Sequence, residues 1–107
     1  MPEESREFRT TDASLNTVGA GLALANEIVK TLLRGESVHL DLSAAQRMTP
    51  SFANALVMTM LEAVGDAVFH TRVKLSCSAD PVAEAWSKAV ERYKRGIRLS
   101  TQQPGAA

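Results

Sequence analysis

The stretch VHLDLSAAQRMTPSFANALVMTML, Val38 to Leu61, has the pattern of a strand, a loop and a helix in succession. Apolar and polar side chains alternate in Val38–Leu42, which predicts a strand with one apolar and one polar face. Thr49-Pro50 then places a capping hydroxyl before a proline suited to the first position of a helix. Ser51 is therefore predicted in the first helical turn. Three roles are open for it at this point: a nucleophile, a switch, or only a helix-start residue.

A second alternating segment, Arg72–Cys77, predicts another strand with one polar face. Parallel sheets that are covered by helices on both faces usually have strands that are apolar throughout. The sequence therefore predicts a small α/β domain with a mostly parallel or mixed sheet and helices packed mainly on one side.

Two further helices flank this unit. The first begins near Val18 and ends before Gly35, and Gly19 and Gly21 predict a loose or absent first turn. Its apolar stripe consists of Val18, Leu22, Ala25, Ile28, Val29, Leu32 and Leu33. The last helix opens at Asp80-Pro81, with Asp80 as its capping residue, and ends at Gly96. Its core stripe comprises Val82, Ala85, Trp86, Ala89, Val90 and Tyr93.

The two ends of the chain show weaker hydrophobic periodicity than the segments between them. Residues 1–12 are expected to be weakly structured or to contain a short edge strand at Glu7–Thr10 with Phe8 facing the core. Ile97–Ser100 is expected to form a last short strand, and residues 101–107 a disordered tail. With 107 residues, the chain is expected to fold as one domain.

The helix that follows Pro50 has two different sides at 100° per residue. Its core side comprises Phe52, Ala53, Leu56, Val57, Met60, Leu61, Ala63 and Val64. The other side contains Thr59, Asp66 and a half-apolar strip formed by Ser51, Asn54, Ala55, Met58 and Glu62. Because a fully solvated face would not favour Met58, this strip is a candidate contact surface.

Composition narrows the class of partner. Twelve basic and twelve acidic side chains cancel, which argues against nucleic acid or an anionic membrane as the main partner. A single cysteine, Cys77, fits a reducing compartment. No apolar run approaches the roughly 20 residues of a membrane helix, and the polar start lacks a signal-peptide core, so a cytoplasmic protein is expected.

The segment DLSAAQRMTPSFANAL, Asp41–Leu56, resembles the signature of STAS domains, the superfamily of the anti-sigma-factor antagonists. Thr49–Ala53 is similar to a STAS-like branch of unknown function that is often encoded beside, or fused to, histidine-kinase-type ATPases. The resemblance spans Val18 to about Tyr93. It departs from the pattern at Thr49, Pro50 and Phe52, where the family often has aspartate, serine and glycine.

This resemblance implies a non-enzymatic regulatory module that binds a protein partner, such as a histidine-kinase-type ATPase acting as a serine kinase. It also implies that Ser51 is the phosphoacceptor and that Asp41 is the strand-end aspartate near it. The partner-binding candidates are Asp41, Thr49, Ser51, Asn54, Ala55, Met58 and Glu62. A phosphate at Ser51 would meet the positive end of the helix dipole and would repel a partner docked beside it.

An enzyme or a ligand-binding domain at the Asp41/Ser51 end of the sheet is the alternative. Ser51 could be combined with His39 or His70 and Asp41 as a triad, but the strained Gly-x-Ser-x-Gly turn is missing. His39, Asp41, His70 and Cys77 lack the tight spacing of metal ligands. No catalytic residue, metal or cofactor is therefore predicted. The basic residues Lys88, Arg92, Lys94, Arg95 and Arg98 complement a helix C-terminus or form a docking site for an acidic partner.

Overall fold

The computed structural model describes residues 5–102, with side chains up to residue 96. Five strands and three helices follow one another in these residues: β1 (Ser5–Arg9), β2 (Ser14–Leu15), α1 (Val18–Leu33), β3 (Ser37–Asp41), β4 (Arg47–Met48), α2 (Pro50–Arg72), β5 (Val73–Ser76) and α3 (Asp80–Gln102). The predicted α/β class is confirmed, and a short edge strand is present near the start, at Ser5–Arg9 rather than at Glu7–Thr10. Residues 1–4 and the predicted tail from residue 103 lie outside the described range.

The main sheet has three parallel strands in the order β1-β3-β5. Its alternation is visible in β3, where Val38 and Leu40 are buried while His39 and Asp41 are partly exposed. On the edge strands, Phe8 and Leu75 also pack against the core. The predicted division into one apolar and one polar face is therefore confirmed.

The helices form a layer over the apolar face. Since neighbouring parallel strands follow one another in sequence, α1 and α2 each cross back over the sheet, and right-handed crossovers place both on the same face. α1 packs along α2, and α2 packs along α3. From its middle position α2 contributes the largest share of the core: its buried residues are Phe52, Ala53, Leu56, Val57, Met60, Leu61 and Phe69.

α1 begins with a regular first turn at Val18, capped by the Thr17 hydroxyl, so the expected loose start is wrong. A Cβ built on Gly21 would lie 2.9 Å from the Phe52 carbonyl oxygen and 3.2 Å from the Ala55 Cβ. Glycine at this position therefore allows α1 and α2 to approach closely. Gly35 has a φ of 88°, in agreement with the predicted left-handed helix end.

α2 begins as predicted, with the Thr49 hydroxyl accepting a hydrogen bond from the Phe52 N–H at 3.2 Å. The predicted core side is confirmed except for Ala63, which is exposed, and Val64, which is only partly buried. Gly65, with φ 86° and ψ 166°, interrupts the helical backbone, a kink that the sequence analysis did not predict. By length and composition α2 is apolar enough to cross a membrane, contrary to the expectation, but it lies here between α1 and α3 as a core helix.

α3 differs from the prediction at both ends. Asp80 is its first residue rather than its cap. The helix continues through Gly96, whose φ is not positive, as far as Gln102. The predicted strand at 97–100 is therefore wrong, and Thr101 and Gln102 extend the helix. A single interior glycine costs only about 1 kcal/mol, which a helix anchored by earlier core contacts can tolerate.

Candidate interaction surface

A short pair of strands holds the starts of α1 and α2 together. β2 and β4 pair in parallel, with Ser14 opposite Arg47 and Leu15 opposite Met48. The Thr49 N–H donates to the Leu15 carbonyl at 2.9 Å, so the segments that lead into the two helices are directly bonded. Leu15 and Met48 are buried beneath this contact. The first turns of α1 and α2 are therefore neighbours, and both helices run in the same direction.

Ser51 is exposed in the first turn of α2, as the sequence analysis predicted. Pro50 has no N–H, and the N–H of Phe52 already donates to the Thr49 hydroxyl. Among the described residues, none of the hydrogen bonds uses the hydroxyl or the N–H of Ser51. A phosphate on Ser51 would therefore meet the positive helix terminus with one main-chain donor next to it.

The half-apolar strip of α2 lies on the outside of the helix layer, with its two flanks in contact with neighbours. Asn54 accepts a hydrogen bond at 3.1 Å from Arg92 of α3, whereas Ala55 faces Gly21 of α1. Met58 is half-buried and Glu62 is exposed. The strip therefore forms an outer ridge between α1 and α3, and Asn54 has a structural role within it.

Three apolar side chains form an exposed row on α1, although the sequence predicted them in the core stripe of that helix. Val18, Leu22 and Leu33 are 48%, 41% and 68% exposed, respectively. At 100° per residue the three lie within about 60° of one another, on the side that follows Gly21 around the helix. Because Gly21 faces α2, this apolar row borders the ridge of α2 on the outer surface. The residue in the sequence that could have indicated this exposed row was Gly21, because it lies on the side of α1 that contacts α2.

Asp41 takes part in a polar network on the uncovered face of the sheet. One carboxylate oxygen accepts from the N–H of Ser43 at 2.9 Å and from its hydroxyl at 2.6 Å, and the other accepts from the Arg9 Nε at 3.1 Å. The two Ser43 hydrogen bonds, with a smaller effect of the Arg9 charge, hold the pKa of Asp41 below its ordinary value, and partial burial opposes them. In the described chain no hydrogen bond or ion pair joins Asp41 to Ser51.

The histidines considered for a catalytic triad or a metal site contact other residues instead. His39 Nε2 lies 2.6 Å from the Ser76 hydroxyl, and His39 Nδ1 lies 3.5 Å from a carboxylate oxygen of Glu7. His70 is paired with Asp66 at 3.0 Å, one turn apart in α2. Across the described residues, no three His, Cys, Asp or Glu side chains are grouped closely enough to hold a metal ion.

The basic side of α3 is only partly occupied by internal contacts. Arg92 donates to Asn54, and Arg95 lies 3.8 Å from Glu91 within the helix. Trp86 lies in the core stripe, as predicted, and stacks on Phe69 with ring centroids 5.6 Å apart. This stacking fixes the last turns of α2, beyond the Gly65 kink, against α3.

No family model matches the chain, and neither does a curated protein or a solved structure.

Proposed function

We propose that the chain is a non-enzymatic regulatory module of the STAS-like kind, which binds a protein partner through the outer surface of α1 and α2. The docking surface consists of the exposed row on α1 (Val18, Leu22 and Leu33) and four residues of the outer ridge of α2 (Ser51, Ala55, Met58 and Glu62). The fifth ridge residue, Asn54, is bonded to Arg92 instead. The partner class is a histidine-kinase-type ATPase with serine kinase activity. Ser51 is the switch position.

The observation that carries this proposal is the exposed apolar row on α1, which begins at the end of the helix next to the start of α2. Three large apolar side chains on one helical face expose apolar area that a partner could cover, and exposed apolar surface of this kind can mark an interaction site. Val18 lies in the first turn of α1, and Ser51 lies in the first turn of α2, which the β2–β4 pair holds nearby. A charge placed on Ser51 would therefore stand at the edge of the apolar surface.

The chemistry of Ser51 supports a switch rather than a nucleophile. A nucleophilic serine needs a base within hydrogen-bond reach, but His39 and His70 are bonded to other residues. A phosphate, by contrast, needs access and a tolerant environment. The Ser51 hydroxyl is exposed to a kinase, and the positive end of the helix dipole stabilises the negative charge of a phosphate.

Leu22→Asp tests the docking surface, with Ala23→Asp as the matched control. Both substitutions place one carboxylate on an exposed position of α1, but Ala23 lies outside the apolar row. We expect Leu22→Asp to weaken binding to a histidine-kinase-type ATPase from the same genome by about tenfold or more, which corresponds to about 1.4 kcal/mol. Ala23→Asp should bind like the wild type.

Isothermal titration calorimetry gives both affinities, and thermal unfolding establishes that both variants are folded. The surface is assigned wrongly if the two variants lose affinity equally or if neither loses any.

A further inference from the structure

A cavity at the amino end of the sheet lies apart from the proposed docking surface. Its volume is about 250 Å³. Its lining includes Ser5, Ser37, His39, Thr71, Arg72 and Lys74. We refer to it as the amino-edge cavity.

The strand register explains why these side chains meet. Ser5 is opposite Ser37, and His39 is opposite Lys74. Positions 5, 37, 39 and 74 belong to the uncovered face of the sheet, because the intervening Val38 faces the helix layer. Thr71 and Arg72 end α2 immediately before β5, so they form a wall beside the starts of the strands.

The lining is cationic and rich in hydroxyl groups. Arg72 and Lys74 bring two positive charges, and no acidic residue of the described range 5–96 lines the cavity. Within the described part of the chain, neither Arg72 nor Lys74 forms an ion pair. Glu7, which shares the uncovered face, lies 3.5 Å from His39 Nδ1 and 3.6 Å from Arg9 Nη2.

A second depression continues the positive edge. It shares Ser5 with the amino-edge cavity, and its lining also includes Arg6, Arg34 and Glu36. Glu36 is paired with Arg34 at 2.9 Å, so its charge is matched locally. Arg72 reaches toward the turn between α1 and β3, with its Nη1 3.9 Å from the position that a Cβ on Gly35 would take. Among the described residues this edge therefore has excess positive charge, although the chain carries no net charge.

From this geometry we propose that the amino-edge cavity binds the phosphate group of a small molecule. A guanidinium offers paired donors to phosphate oxygens, an ammonium offers a compact charge, and serine hydroxyls supply further donors. The cavity is wider than a single phosphate needs, so the phosphate would be carried on a small organic group. This site is independent of the proposed partner surface.

Inorganic phosphate is the probe, titrated into the ¹⁵N-labelled full chain while amide shifts are followed. Acetate serves as the carboxylate comparison, and ionic strength is held constant because salt screens such contacts. We expect saturable shifts at the amides of Ser37, Thr71, Arg72 and Lys74, with a dissociation constant on the order of 1 mM for so small a ligand. Acetate should bind more weakly.

Arg72→Gln and Lys74→Gln should each weaken phosphate binding by about tenfold, as expected when a charge-assisted hydrogen bond is lost. Lys88→Gln, on an exposed position of α3, is the matched control and should bind phosphate like the wild type. Lys74 is itself exposed, so its variant keeps the test valid if Arg72→Gln impairs folding. Absence of saturable shifts, equal binding of acetate, or unchanged binding in Lys74→Gln would each overturn the proposal.

Discussion

The contact between α1 and α2 and the uncovered face of the sheet are stabilised in different ways. Between the helices the fit is steric, since the Gly21 backbone lies so close to Phe52 and Ala55 that a methyl group would crowd them. On the uncovered face, polar groups bond to one another in the presence of water, as Arg9, Asp41 and Ser43 do. The close packing between α1 and α2 tolerates little change in side-chain volume, whereas each exposed polar pair contributes little to the free energy of unfolding.

Because of this difference, we expect stability and recognition to depend on different parts of the molecule. We expect the stability of the fold to depend mainly on the helix layer and its buried side chains. The uncovered face and the outer surface of the helices remain available for ligands and partners.

The largest expected effect comes from Gly21, with Gly19 as its control. Alanine is favoured over glycine in a helix by about 1 kcal/mol. A Cβ at Gly19 meets nothing within 4 Å, so Gly19→Ala should stabilise the chain by up to that amount, about 1 kcal/mol. Gly21→Ala should instead destabilise it, because overpacking costs about 1–3 kcal/mol and exceeds the gain in helix propensity.

Urea unfolding of the two variants measures both changes in the free energy of unfolding. Equal stabilisation by both alanines would show that α1 and α2 are not packed closely at Gly21, and the distinction between the two regions would fail.

A smaller effect, limited to acid, is expected on the uncovered face. The pKa of Asp41 is lower in the folded chain than its ordinary value of 3.8. Because the folded pKa is the depressed one, the contribution of Asp41 to stability is present above the ordinary pKa and is lost as the pH falls through the folded value. The wild type should therefore lose more stability than Asp41→Asn as the pH falls from about 5 into the acid range.

Carboxyl NMR titration measures the shift directly. Ser43→Ala should raise the pKa of Asp41 more than Arg9→Gln does, because the lost hydroxyl hydrogen bond is the largest single cause of the shift and Arg9 is largely exposed. A midpoint for Asp41 at or above 3.8 in the wild type would contradict the hydrogen-bonded arrangement.

Much of the fold could be predicted because periodicity reports burial directly. The alternation in Val38–Leu42 predicted the two faces of the sheet, and Thr49-Pro50 predicted the start of α2. These features depend on nearest neighbours in sequence, where the side-chain period and the capping chemistry determine the local structure.

Several predictions failed at glycines, because glycine has more than one physical role. Gly35 ends a helix with a positive φ, Gly96 lies inside a helix, Gly65 kinks one, and Gly21 permits a close crossing. Sequence alone does not distinguish these uses, since they depend on what lies across from the glycine in space. For the same reason the exposed row on α1 was assigned to the core, and the amino-edge cavity, formed by residues from three strands and a helix end, had no local signature.

The affinity of the proposed partner, a histidine-kinase-type ATPase, for Ser51→Ala and Ser51→Asp, measured by isothermal titration calorimetry, tests the central claim most directly. Both variants should fold, and the aspartate should even gain about 0.3–1 kcal/mol from the helix dipole. Ser51→Ala should bind like the wild type, Ser51→Asp should bind at least about tenfold more weakly, and incubation with the ATPase and ATP should add phosphate to Ser51, as detected by mass spectrometry. Equal affinities for the two variants, together with an unmodified Ser51, would contradict the proposed switch.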